Sequence, residues 1–130
     1  LLSRVVSWDY QDLIEESKPV VASTLEISEK ALNALDQGMR MTASIGTAEQ
    51  YLRDYPIAIA CKTGTPQRSE TYGAGKHYLN AMMIAYLPAD DPEIAIGITV
   101  EYGGYGARTG DLVVDIANAY FAMKDGTLEV

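Results

Sequence analysis

The run Ile57-Ala58-Ile59-Ala60-Cys61-Lys62-Thr63-Gly64-Thr65 decides how the rest of this sequence is read. Its first half alternates large and small apolar residues, the pattern of a strand from Ile57 to Lys62 with a face in a core. It then breaks into a lysine, two threonines and a glycine. A lysine at the end of a buried strand sets a fixed positive charge at the edge of a sheet. Threonine hydroxyls on either side of Gly64 offer donors to a carboxylate. Gly64 has no side chain, so a substrate backbone can come close and pair with the strand as an added strand. An isolated Lys-Thr-Gly tripeptide also occurs at ordinary strand-to-turn junctions, so the surroundings must carry the weight.

Upstream, Leu1 to Trp8 is apolar and β-branched and predicts a strand. Asp9 to Glu16 is polar and reads as a turn or loop. Lys18-Pro19-Val20-Val21 is extended, because the residue before a proline avoids the helical region. Ser28 is a candidate N-cap, with Glu29 in the first turn. Ala31, Leu32, Leu35 and Met39 then recur at helical spacing and predict a helix that fades near Ala43. Gly38 inside it predicts close packing or a late kink. Gly46-Thr47-Ala48 is a break, followed by a short helical turn through Tyr51 and Leu52.

Downstream, Thr63 to Lys76 reads as a long polar connection. His77 to Leu87 reads as one strand apolar on both faces, hence buried on both sides. Asp90, Asp91 and Glu93 mark a solvated turn. A third strand covers Ile94 to Tyr102, with Ala95, Gly97 and Thr99 as a small-residue face against which something packs closely. Gly103 to Gly110 reads as a flexible loop. A last helix begins at Asp111, carries Leu112, Val113, Ile116, Ala117, Tyr120 and Phe121 as its apolar stripe, and stops near Gly126. The short connections favour antiparallel pairing. Helices covering such a sheet predict an α+β fold.

Composition narrows the function classes. With 130 residues, 48% hydrophobic and 22% charged, the chain has the make-up of a folded domain or a piece of one. The net charge of −8 comes with no basic stripe, which argues against a nucleic-acid partner. The single cysteine, Cys61, rules out a disulfide within the chain. No apolar run approaches the roughly 20 residues that span a bilayer. His77, the only histidine, has no cysteine or carboxylate spaced beside it, so no metal and no cofactor are expected. Cys61 reads as a small buried residue and the tyrosines along the second strand, His77 to Leu87, as core. Arg108, in the glycine-rich loop, is a further candidate for facing a cleft.

The stretch from Ile59 to Gln67 resembles the third active-site motif of the penicillin-binding proteins, a Lys-Thr-Gly followed by a hydroxyl residue. Further segments are similar to that family in the same order. They are Val20 to Met39 ending in Gln37-Gly38-Met39, Gly46-Thr47-Ala48, Asn80 to Ile96, Glu101-Tyr102-Gly103-Gly104 and the closing helix. The likeness runs from about Leu1 to Met123 and is greatest to the monofunctional, class B-like members. Cys61 and Pro66 depart from the usual pattern, and Pro66 removes a backbone N–H just beyond the motif.

The resemblance implies a serine transpeptidase/β-lactamase-like fold, with residues 1–130 as the C-terminal portion of a transpeptidase domain. None of the seven serines is followed three residues later by lysine, and no Ser-x-Asn occurs. The family's first two motifs would then precede Leu1, and this chain alone is expected to be inactive. Lys62, Thr63 and Gly64 are the implied catalytic residues. Thr63 and Thr65 would bind the carboxylate, and the Thr65 N–H would complete an oxyanion hole. The implied partners are peptidoglycan stem peptides, β-lactams and the upstream half of the same protein, with self-association through exposed apolar surface. The implied location is the extracytoplasmic face of the bacterial membrane. Two alternatives stand beside the D,D-transpeptidase: a D,D-carboxypeptidase or β-lactamase of the same fold, and a non-catalytic penicillin-sensing or scaffold module.

Overall fold

The structure is a computed structural model that describes residues 3–18 and 20–127. Its centre is a three-stranded antiparallel sheet. The strands are β3 (Ala60–Gly64), β6 (Ala81–Leu87) and β7 (Ile94–Val100), in the spatial order β3-β6-β7. Two separate hairpins complete the strands, β1 (Arg4–Val6) with β2 (Leu13–Glu16), and β4 (Gln67–Tyr72) with β5 (Lys76–Leu79). The helices are α1 (Glu29–Ser44), the single turn α2 (Glu49–Leu52) and α3 (Gly110–Lys124), the last preceded by a 3-10 turn at Gly106–Thr109. Antiparallel strands with helices packed on them make the fold α+β, as expected.

The side chains of the sheet follow its period of two. Ala81, Met83, Ala85 and Leu87 of β6 are buried, and the last three pack with Cys61, Ile96, Leu52 of α2, and Val113 and Ala117 of α3. Helix α1 starts where Ser28 caps it. Ser28 is extended (φ −71°, ψ 148°), and its Oγ accepts from the Ala31 N–H at 3.3 Å. Arg40 then pins α1 to the β6–β7 turn, donating to Asp90 at 2.6 Å and to the Ala89 carbonyl at 2.5 Å. Tyr86 Oη donates to Asp36 at 2.6 Å and ties the same helix to β6. These two donors hold the Asp36 carboxyl below its ordinary range, Tyr86 contributing most and Arg40 next.

Several expectations need correction. Leu13–Glu16, read as loop, is a strand, because it pairs with Arg4–Val6 despite two glutamates. The first strand is realised only over Arg4–Val6; Leu1 and Leu2 lie outside the described residues, as does Pro19 of the extended stretch. The motif strand is shifted from Ile57–Lys62 to Ala60–Gly64. The polar connection from Thr63 to Lys76 contains the whole of β4 and the start of β5. Gly73 (φ 40°) and Gly75 (φ 73°) take the left-handed conformations its turn requires. The long strand from His77 to Leu87 is two strands with different partners, divided at Asn80. Its second face is not buried here: Met82 and Ile84 are exposed. The small face of β7 is open rather than closely packed, since a Cβ on Gly97 would meet nothing within 4 Å. The same holds for Gly38. The loop from Gly103 to Gly110 is not slack: Gly106, Thr109 and Gly110 are buried in a 3-10 turn and helix start. Asp90 and Glu93 are not merely solvated, because Glu93 accepts from Lys124 at 2.7 Å and from Tyr120 at 3.2 Å.

Candidate active site

The register places the motif. Lys62 lies opposite Ile84, which lies opposite Gly97; Gly64 lies opposite Met82, which lies opposite Thr99. These six residues share the exposed face of the sheet. Gly97 and Thr99 are small, so they leave open ground in front of the lysine. A shallow concavity of about 250 Å³ results, bordered by Lys62, Gly64, Met82, Ile84, Gly97 and Thr99. Beside it a second hollow of about 450 Å³ lies between the end of α1 and Lys62. The motif strand β3 is the edge of its sheet.

Each hydroxyl of the motif has a defined neighbour. Thr63 Oγ1 lies 2.9 Å from Thr47 Oγ1, in the turn between α1 and α2. Thr65 Oγ1 accepts from the Gly106 N–H at 3.0 Å. That N–H uses the oxygen as acceptor and leaves the Thr65 O–H proton available to a ligand. Lys62 Nζ donates to the Thr63 carbonyl at 2.6 Å, and its side chain is exposed. Gly64 is half-buried, and a Cβ there would touch Met82 Cβ at 3.4 Å.

The support beneath the motif is tight. Gly106 is buried, and a Cβ on it would overlap the Gly64 carbonyl oxygen and come within 2.6 Å of the Met82 carbonyl oxygen. Its carbonyl accepts from Thr109 Oγ1 at 2.7 Å, which fixes the 3-10 turn from inside. Only glycine fits between the turn and the end of β3.

Other candidates fall outside this cluster. Cys61 is fully buried, and desolvation pushes its thiol up to about 11, the reverse of what a nucleophilic thiolate needs. His77 Nδ1 lies 2.8 Å from the Arg68 carbonyl, so the ring braces the β4–β5 hairpin. Among the described residues no group of three histidine, cysteine, aspartate or glutamate side chains could hold a metal. Arg108 is exposed in the 3-10 turn. Of the tyrosines read as core along the second strand, Tyr86 is half-buried and Tyr78 is exposed. Tyr72 and Tyr78 pack with centroids 4.6 Å apart, Tyr78 meets Tyr102 edge-on at 5.1 Å, and all three are substantially exposed. Sequence reasoning missed Thr47 and Gly106 as neighbours of the motif. Thr47 lay in view within Gly46-Thr47-Ala48, whose hydroxyl beside a helix end was the available signal.

Edge strand β3 thus ends in Lys62-Thr63-Gly64, with Thr65 just beyond it, both hydroxyls anchored and open ground before the lysine. The family model for the penicillin binding protein transpeptidase domain matches residues 2–122. This chain belongs to the penicillin-binding protein transpeptidase family. Penicillin-binding protein 2A of Bacillus subtilis (strain 168) is 30% identical over 124 residues, covering 86% of this chain and 17% of the relative. Peptidoglycan D,D-transpeptidase MrdA of Escherichia coli (strain K12) is 35% identical over 80 residues, covering 55% of this chain and 13% of the relative. Among solved structures, the penicillin-binding protein PBP2 of Helicobacter pylori superposes with a TM-score of 0.62 at 32% identity. That match covers 93% of this chain and 20% of the other. The likeness is to class B-like penicillin-binding proteins, and the chain spans a fifth or less of the length of these relatives. Among the described residues no helix is long and apolar enough to cross a membrane.

Proposed function

We propose that residues 1–130 are the C-terminal portion of a serine D,D-transpeptidase domain and form the Lys-Thr-Gly wall of its active site. The observation that carries this reading is the exposed edge strand on which Lys62, Thr63, Gly64 and Thr65 stand, with Thr63 and Thr65 each held by a neighbour. The nucleophilic serine and its lysine come from residues outside this chain. They approach the exposed face of Met82, Ile84, Gly97 and Thr99, which is where the upstream half of the protein docks.

The chemistry has two steps. The serine oxygen attacks the carbonyl between two D-alanines of a stem peptide. The terminal D-alanine leaves with a proton, and an acyl-enzyme ester remains. The amine of a neighbouring stem then attacks the ester, forming the cross-link and returning the proton to the serine. Lys62 supplies positive potential and helps manage protons near the serine. Thr63 and Thr65 bind the substrate carboxylate, and the Thr65 N–H donates to the oxyanion. One such donor is typically worth roughly 3–4 kcal/mol of transition-state stabilisation. A β-lactam follows the first step and stops there. On this reading the intact protein works at the extracytoplasmic face of a bacterial membrane and acts on peptidoglycan, a reading supported by its likeness to a peptidoglycan D,D-transpeptidase.

The test is labelling of the intact protein with a fluorescent penicillin, followed by mapping of the acylated residue. Acylation on a serine outside this chain, in a Ser-x-x-Lys, is expected. An intact protein that binds penicillin without forming the ester would fit a sensing module instead and overturn the enzymatic reading.

A further inference from the structure

The turn joining α1 to α2 reaches the motif through one atom pair, Thr47 Oγ1 and Thr63 Oγ1, 2.9 Å apart. Two hydroxyls at that distance share one hydrogen and leave the second free to donate to a third group. Thr47 is exposed, so packing does not explain its position. It lines the hollow of about 450 Å³ together with Lys62, Gly38, Met41 and Ile45. Gly38 meets nothing within 4 Å, and its missing side chain keeps the wall of that hollow back. A cation, paired hydroxyls with a spare proton and an open approach are what a carboxylate needs.

We propose that Thr47 is a third hydroxyl of the carboxylate seat, which binds the ligand's anion jointly with Thr63 and orients the Thr63 hydroxyl toward it. The ligand class is the terminal carboxylate of a D-alanyl peptide or the carboxylate of a β-lactam. The inference rests on the transpeptidase reading and extends that site onto the α1–α2 turn. A purely structural Thr47 would weaken all ligands alike. A carboxylate-binding Thr47 discriminates between ligands that carry the charge and ligands that do not.

The experiment measures second-order acylation rates of the intact protein with a penicillin and with its methyl ester. In Thr47→Val the acid-to-ester rate ratio is expected to fall roughly tenfold, the scale of one lost hydrogen bond to a charged group. Thr47→Ser should restore it. An unchanged ratio overturns the assignment, whether the rates stay level or fall together. Thr47→Ala serves as the second variant, and failure of both to fold would show a structural role and overturn it equally. Failure of the unsubstituted protein to acylate at all would instead bring down the transpeptidase reading, and this assignment with it.

Discussion

The Gly106 N–H donates to Thr65 Oγ1 at 3.0 Å, across 41 residues of chain. This bond ties the turn before α3 to the last hydroxyl of the motif. Because Gly106 also abuts the carbonyls of Gly64 and Met82, the turn is both a strut and a donor.

Gly106→Ala should therefore disturb the site and the fold together. The added methyl meets backbone on two strands, which cannot move aside cheaply. Overpacking of this kind costs about 1–3 kcal/mol. Urea unfolding of the intact protein should show that loss, and penicillin acylation should fall with it. A variant as stable and as reactive as the parent would contradict the strut.

Gly64→Val should separate the two effects. A Cβ at Gly64 touches only Met82 Cβ, at 3.4 Å, so the fold should survive. On the proposed reading the same side chain crowds a substrate backbone that pairs with β3, so acylation of the intact protein should be abolished. Circular dichroism and penicillin labelling of one sample check both halves.

Asp36 makes stability depend on acid. Its carboxyl is held below the ordinary range by Tyr86 and Arg40, so the unfolded chain takes up a proton before the folded one does. The contribution is present above the unfolded carboxylate pKa and is lost as pH falls through the lower folded value. Tyr86→Phe removes the larger cause. It should lower stability at neutral pH and shrink the loss seen between neutral and acid. Equal slopes of stability against pH in parent and variant would refute the coupling.

Cys61 gives the opposite signature. Burial raises its thiol from 9.0 to about 11, so the unfolded chain loses the proton first as pH rises. Stability should decline from about pH 9 and level off past pH 11. The native thiol should resist iodoacetamide at pH 8 and react only on unfolding. Rapid native labelling would show that the sheet opens there.

Much of the frame was legible because it rests on local signals. Ser28, Glu29 and the spacing of Ala31, Leu32 and Leu35 placed α1 to within a residue or two. The motif was legible as a string, and so was its place at the end of a strand. The β4–β5 hairpin was not, because Arg68, Ser69 and Glu70 alternate no apolar face, and only Gly73 and Gly75 hinted at its turn. The break at Asn80 was hidden by apolar residues on both sides. The reason for the break is tertiary: Asn80 Oδ1 accepts from the Tyr102 N–H at 3.1 Å, where Tyr102 holds a φ of 57°. Thr47 and Gly106 escaped for the same reason. Their bonds to the motif cross 16 and 41 residues, and no periodicity reports a contact of that separation.

The placement of β3 at the rim of its sheet has one more consequence. If β3 takes a guest peptide along its free side, as proposed, it cannot tell that guest from a stray strand of another molecule. In solutions of the isolated chain, clumping and ligand capture would compete for one ledge. A short D-alanyl peptide should then act as a solubiliser, slowing the growth of light scattering in proportion to how much of the ledge it occupies.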